Sequence, residues 1–170
     1  SKAVILADNG GSINTFSLRP TKKRTKLYSG YAIKERIKKI QNQKMKYEKL
    51  FNLSEIEQLP LKRLLFSASL NAIKKSEVDN DYYFCINLPS EEIALINANK
   101  NTKEKIKYLT KNSVLPIPRS EIVIDPRLLF GLLTHIYHWN NAEVGSQFLV
   151  RRYPNVFNRK AQSFLNFLTV

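Results

Sequence analysis

One stretch confines this chain more than any other: Asp125 to Tyr153, reading DPRLLFGLLTHIYHWNNAEVGSQFLVRRY. Asp125-Pro126 is a helix start. The aspartate can accept from a free backbone N–H, and proline at the first helical position loses no hydrogen bond. Leu128, Leu129, Leu132 and Leu133 then recur at helical spacing. The polar corner His138-Trp139-Asn140-Asn141 breaks that period, and after Gly145 the residues Gln147 to Tyr153 read as a strand. Phe148 and Val150 share one face of it, Leu149 and Arg151 the other. A chain holding this stretch must pack an apolar helix on a sheet.

The neighbouring segments fit that demand. Tyr82 to Leu88 is aromatic, β-branched and short, and Pro89-Ser90 separates it from a return strand at Glu92 to Ala98, which makes a hairpin. Lys105 to Leu109 and Glu121 to Ile124 add two more strands. Before them, Tyr31 to Phe51 reads as one helix, with Ile33, Ile37, Ile40, Tyr47 and Phe51 on a common face. Ser54 and Glu57 have capping-box spacing. Pro60 divides that region from a second helix bearing Leu61, Leu64, Leu65, Ala68 and Ala72. Asn155 to Val170 is expected to close the chain as an amphipathic helix capped by Asn155, with Val156, Phe164, Leu165 and Leu168 as its apolar members. The expected architecture is α+β: a mostly antiparallel or mixed sheet of about five strands, with helices on one face. Ala3 to Leu6 reads as an edge strand, Asp8 to Ser12 as a turn and Ser17 to Gly30 as a basic loop. Residues 1–30 are expected to be a linker or the tail of a preceding domain, and 31–170 the folded domain.

From about Tyr82 to Val170 the chain resembles the C-terminal part of the sterol carrier protein type two domain. The residues that carry this are Leu128-Leu129, Gly131-Leu132-Leu133-Thr134, the polar link, Ala142 and Gly145-Ser146. HWNNAEVGS is also similar to the domain that some metallo-β-lactamase-fold hydrolases, relatives of amino-sugar hydroxylases, append to their catalytic domain. The resemblance implies a sterol-carrier-like fold around an apolar tunnel for lipid-like tails. It also implies a linked or separate metallo-β-lactamase-fold catalytic partner and an accessory, non-catalytic role. Candidate lining residues are Phe130, Leu133, Tyr137, Phe148, Phe164 and Phe167. His138, Trp139, Asn140, Asn141 and Glu143 stand at the corner, where they either form the mouth of a ligand site or pair loop backbone groups around a core tryptophan.

Charge offers the alternative. The chain carries 28 Lys or Arg against 14 Asp or Glu, a net of +14. Lys34, Arg36, Lys38, Lys39, Lys44 and Lys46 fall in its most basic segment, from Arg19 to Leu50. Such a segment either solvates a surface or meets an anionic surface or nucleic acid without reading sequence. No RRM, KH or zinc-finger pattern accompanies it. Chemistry is sparse. His135 and His138 lie three apart, but zinc takes three or four ligands in a recognised spacing, so no metal is expected. The metallo-β-lactamase motif His-x-His-x-Asp-His, a GxSxG elbow and any cofactor fingerprint are missing. The lone Cys85 forms no internal disulfide and fits a reducing, cytoplasmic setting.

Overall fold

A computed structural model describes residues 30–41, 43–49 and 51–170. The chain divides into two compact units, Ser1–Lys44 and Met45–Val170. The edge strand, turn and basic loop expected between Ala3 and Ser29 lie outside the described residues. In the first unit, helix α1 covers Gly30–Gln41 and buries none of its side chains.

The second unit is α+β, as expected. Its strands are β1 (Tyr83–Asn87), β2 (Glu92–Asn97), β3 (Ile106–Thr110), β4 (Arg119–Val123) and β5 (Leu149–Tyr153), and they lie in the order β3-β2-β1-β4-β5. Three pairings are antiparallel. The fourth, β1 with β4, is parallel, matching Tyr83 to Arg119 and Ile86 to Ile122. The helices are α2 (Leu61–Lys75), α3 (Pro126–Leu133), α4 (Trp139–Val144) and α5 (Arg159–Asn166).

The side-chain alternation of the strands sets the layers. Phe84 and Ile86 of β1, Ala94 and Ile96 of β2, and Ile122 of β4 join one core with the helices. The helices bring Leu65, Ala68 and Ala72 of α2, all four leucines of α3, and Phe164 and Leu165 of α5. Phe84 stacks on Phe164 at 5.2 Å between ring centroids. On the opposite sheet face, Cys85, Ile93 and Leu95 are buried with Tyr83, Leu109 and Leu115. The two central strands are therefore apolar on both faces. Edge strand β5 alternates exposed and half-buried residues.

Asp125 caps α3 as the sequence implies. Its carboxylate accepts from the Arg127 N–H at 2.9 Å, with Pro126 at the first turn. Both carboxylate oxygens also take bonds from the Arg127 guanidinium, at 3.0 and 2.7 Å. Arg127 is almost fully buried, and it also donates to the Glu48 carbonyl at 3.4 Å. Burial pushes the Asp125 carboxyl up. The guanidinium bonds, the backbone N–H and the positive charge outweigh it and hold the group below its ordinary value.

Four sequence expectations need correction. The helix expected from Tyr31 to Phe51 stops at Gln41. Tyr47 instead enters a single 3-10 turn and packs on the main core, and the Phe51 ring meets Phe130 edge-on at 5.2 Å. Tertiary contacts, with Arg127 holding Glu48, override a helical period that was compatible throughout. The capping interaction lies two residues earlier than Ser54 and Glu57: the Glu55 carboxylate accepts from the Asn52 N–H at 2.8 Å, opening a 3-10 turn at Leu53–Gln58. The last helix starts at Arg159, capped by Asn158 rather than Asn155. Its buried face is Ala161, Phe164 and Leu165, continued beyond its end by Leu168. Val156 precedes the helix and its cap, so it has no place on that face, and it stays exposed. The corner at Trp139 is itself helical, α4, with His138 at its N-cap position.

Candidate functional site

Helix geometry explains what the corner residues do. Trp139 is 3% exposed, and its indole N–H donates to the Leu168 carbonyl at 2.9 Å. Its ring meets Phe148 edge-on at 5.7 Å. The chain reverses through intrahelical bonds, including Ala142 N–H to His138 and Gly145 N–H to Asn141. The Asn140 and Asn141 side chains are exposed and make no hydrogen bond among the described residues, so backbone pairing by these amides is corrected too. Glu143 is tied down, accepting from Gln162 and lying 3.5 Å from the Arg152 guanidinium. His138 and His135 are exposed, their rings edge to face at 4.9 Å. Tyr137 lies over Gly131, where an added Cβ would stand 2.4 Å from its ring. The structure thus brings Trp139 to Phe148 and His138 to His135. It places Phe130 against Phe51.

Among the described residues an open cavity lies elsewhere. The 3-10 turn Leu53–Gln58, the Leu59-Pro60 link and the first turn of α2 form one side of a cleft; the β1–β2 turn forms the other. Its volume is about 580 Å³, within the usual range for small-molecule sites, roughly 300–1,000 Å³. Buried Leu61 and Leu88 lie deepest, and half-buried Ile56, Leu59 and Pro89 make the walls. Two leucine-proline pairs, Leu59-Pro60 and Leu88-Pro89, contribute to this lining. Neither proline has an N–H, so the walls offer apolar surface with few donors.

Charge is confined to the rim. Glu57, Lys62, Arg63 and Glu92 stand there. Lys62 bridges to Glu92 at 2.7 Å, and its carbonyl accepts from the Tyr108 hydroxyl at 2.7 Å. Burial, and secondarily the Glu92 charge, raise the Tyr108 phenol above its ordinary value, so it stays a neutral donor. Arg63 is exposed and has no carboxylate partner among the described residues. The opposing lip is a three-residue turn in which Ser90 and Glu91 both take left-handed backbone, φ 64° and 61°. Lys111 holds this lip through its side chain, which pairs with the Glu91 carboxylate at 2.6 Å, and through its N–H, which donates to the Glu91 carbonyl at 3.1 Å.

None of the cleft residues was singled out from sequence as a binding residue. The repeated leucine-proline pairs were a visible signal, but nothing local says that they meet. Of the expected basic surface, Lys34, Arg36, Lys38 and Lys39 share α1, Lys44 follows it, and Lys46 lies at the start of the second unit after Met45; all are exposed. Among the described residues no three His, Cys, Asp or Glu side chains group to hold a metal ion, and no helix is long and apolar enough to cross a membrane. Cys85 is buried in β1, and desolvation pushes its thiol up to about 12.

No protein-family model matches this chain, and no curated protein matches it. Among solved structures it is similar to sterol carrier protein domain 2 of Helicoverpa armigera, with a TM-score of 0.39 and 21% identity over 62% of this chain and 78% of that one.

Proposed function

We propose that residues 45–170 form an accessory domain that binds an amphipathic small molecule in the cleft between α2 and the β1–β2 turn. One observation carries this: a cavity of about 580 Å³ that sets Ile56, Leu59, Pro60 and Pro89 beside the exposed charges of Glu57, Lys62 and Arg63. An aliphatic chain would displace water from half-buried Ile56, Leu59 and Pro89, at roughly 25 cal/mol per Å² removed from solvent. A polar head would stay at the rim, where Arg63 is available to an anionic group while Lys62 is engaged by Glu92. The finer reading is that the domain serves a linked or separate metallo-β-lactamase-fold hydrolase by holding substrate at its entrance. Support for this is the resemblance of HWNNAEVGS to the appended domain of such enzymes.

The test is titration of the full chain with a fluorescent long-chain carboxylate and with a neutral monoacylglycerol of equal length. Binding saturates at one per chain. Ile56→Glu weakens both ligands about tenfold, on the order of 1.4 kcal/mol. Arg63→Glu weakens the carboxylate alone. Absence of saturable binding, or indifference to both variants, refutes the cleft as the site.

A further inference from the structure

Helix α1 has a composition that solvation alone does not explain. Ile33, Ile37 and Ile40 follow at i, i+4 and i+7 and therefore form one stripe. They are 48%, 51% and 45% exposed. Isoleucine is a mediocre helix former, and aliphatic surface held in water stabilises nothing. Arg36 borders one side of the stripe and Lys34 the other, while Lys38 and Lys39 lie about 130° from its centre on the far face. Against these four cations stands Glu35, which is 3.6 Å from Lys38.

We propose that α1 is an interfacial helix that lies on an anionic lipid surface. The isoleucines enter the boundary between headgroups and acyl chains, and the flanking cations sit over lipid phosphates. Cations on both sides of an apolar stripe suit a plane, which meets both flanks at once. Their long aliphatic stems reach the headgroups while the stripe is submerged. A nucleic acid would use the cations but offers no continuous apolar layer along a stripe of three aliphatic side chains, as a lipid surface does. The 12-residue helix spans about 18 Å, several headgroups long.

Flotation of the full chain with two vesicle types tests this: phosphatidylcholine alone, and phosphatidylcholine containing phosphatidylserine. The chain floats only with the anionic vesicles, and added salt weakens it. The quadruple variant Lys34→Gln, Arg36→Gln, Lys38→Gln, Lys39→Gln loses at least about 25-fold, about fivefold for each of the two cations that border the stripe. The triple variant Ile33→Ala, Ile37→Ala, Ile40→Ala loses at least about tenfold. It keeps every charge, and alanine favours helix more than isoleucine does, so that loss does not come from unwinding. Unchanged fatty-acid titration in both variants separates this result from the cleft, whose residues all lie in the second unit. Undiminished flotation of the isoleucine variant, equal binding to neutral vesicles, or binding of duplex oligonucleotide but of neither vesicle overturns the proposal.

Discussion

Replacing Trp139 by alanine is the most direct probe of how the second unit is closed. The side chain is 3% exposed, so nearly all of it is lost from the core. Three effects act together. Truncating a core tryptophan costs about 3–5 kcal/mol through lost transfer energy and the cavity left behind. The edge-on contact with Phe148 at 5.7 Å belongs to a class worth about 0.5–1.5 kcal/mol beyond burial, part of which the first figure already contains. The Leu168 carbonyl loses its indole donor, which loosens the segment after α5. The expected total is about 4 kcal/mol, and with a urea m-value of about 2 kcal/mol/M the midpoint falls by about 2 M. Trp139→Phe keeps the aromatic contact and loses the donor, so it should cost about 1–3 kcal/mol. Asn141→Ala, at an exposed side chain without a bond, should stay within about 0.5 kcal/mol. Trp139 is the single tryptophan, so far-UV circular dichroism must follow the urea titrations. A Trp139→Ala midpoint within about 0.5 M of the parent would refute the reasoning. If ligand affinity vanished at that undiminished stability, the corner and not the cleft would be the binding mouth.

Two further outcomes follow from the same structure. Because the Asp125 carboxyl is held below its unfolded value, its stabilisation is present above about pH 4 and disappears as pH falls through the folded value. Asp125→Asn should therefore lose about 1.5–3 kcal/mol at neutral pH, the difference from the parent shrinking in acid; an equal deficit at pH 7 and pH 2.5 would contradict the Arg127 pairing. The buried Cys85 thiol, pushed up to about 12, should resist a disulfide reagent at pH 8 and react fully in denaturant; fast labelling of the native protein would show that β1 is open on that face.

Local pattern was enough for several elements. Asp125-Pro126 followed by four leucines specified α3, cap included, because its signals are contiguous and the cap bond closes over two residues. Tyr82 to Ala98 specified the β1–β2 hairpin, because a three-residue link leaves antiparallel return as the short route. From these the α+β class with its helices on one face was legible. Partner choice was not. A strand's alternation says which side is apolar but not which strand lies beside it, and the parallel pairing of Tyr83 with Arg119 joins residues with two other strands between them in sequence. Tyr47 and Phe51 fit a helical period as well as they fit the core, and the packing on α3 decided between them. Trp139 was legible as a core anchor, whereas the asparagines beside it were not legible as solvent-facing, since helical bonds already satisfy the backbone there. The cleft depended most on tertiary structure. Leu59-Pro60 and Leu88-Pro89 are unremarkable separately, and they become a cavity only because α2 packs across the sheet and sets the two prolines facing one volume.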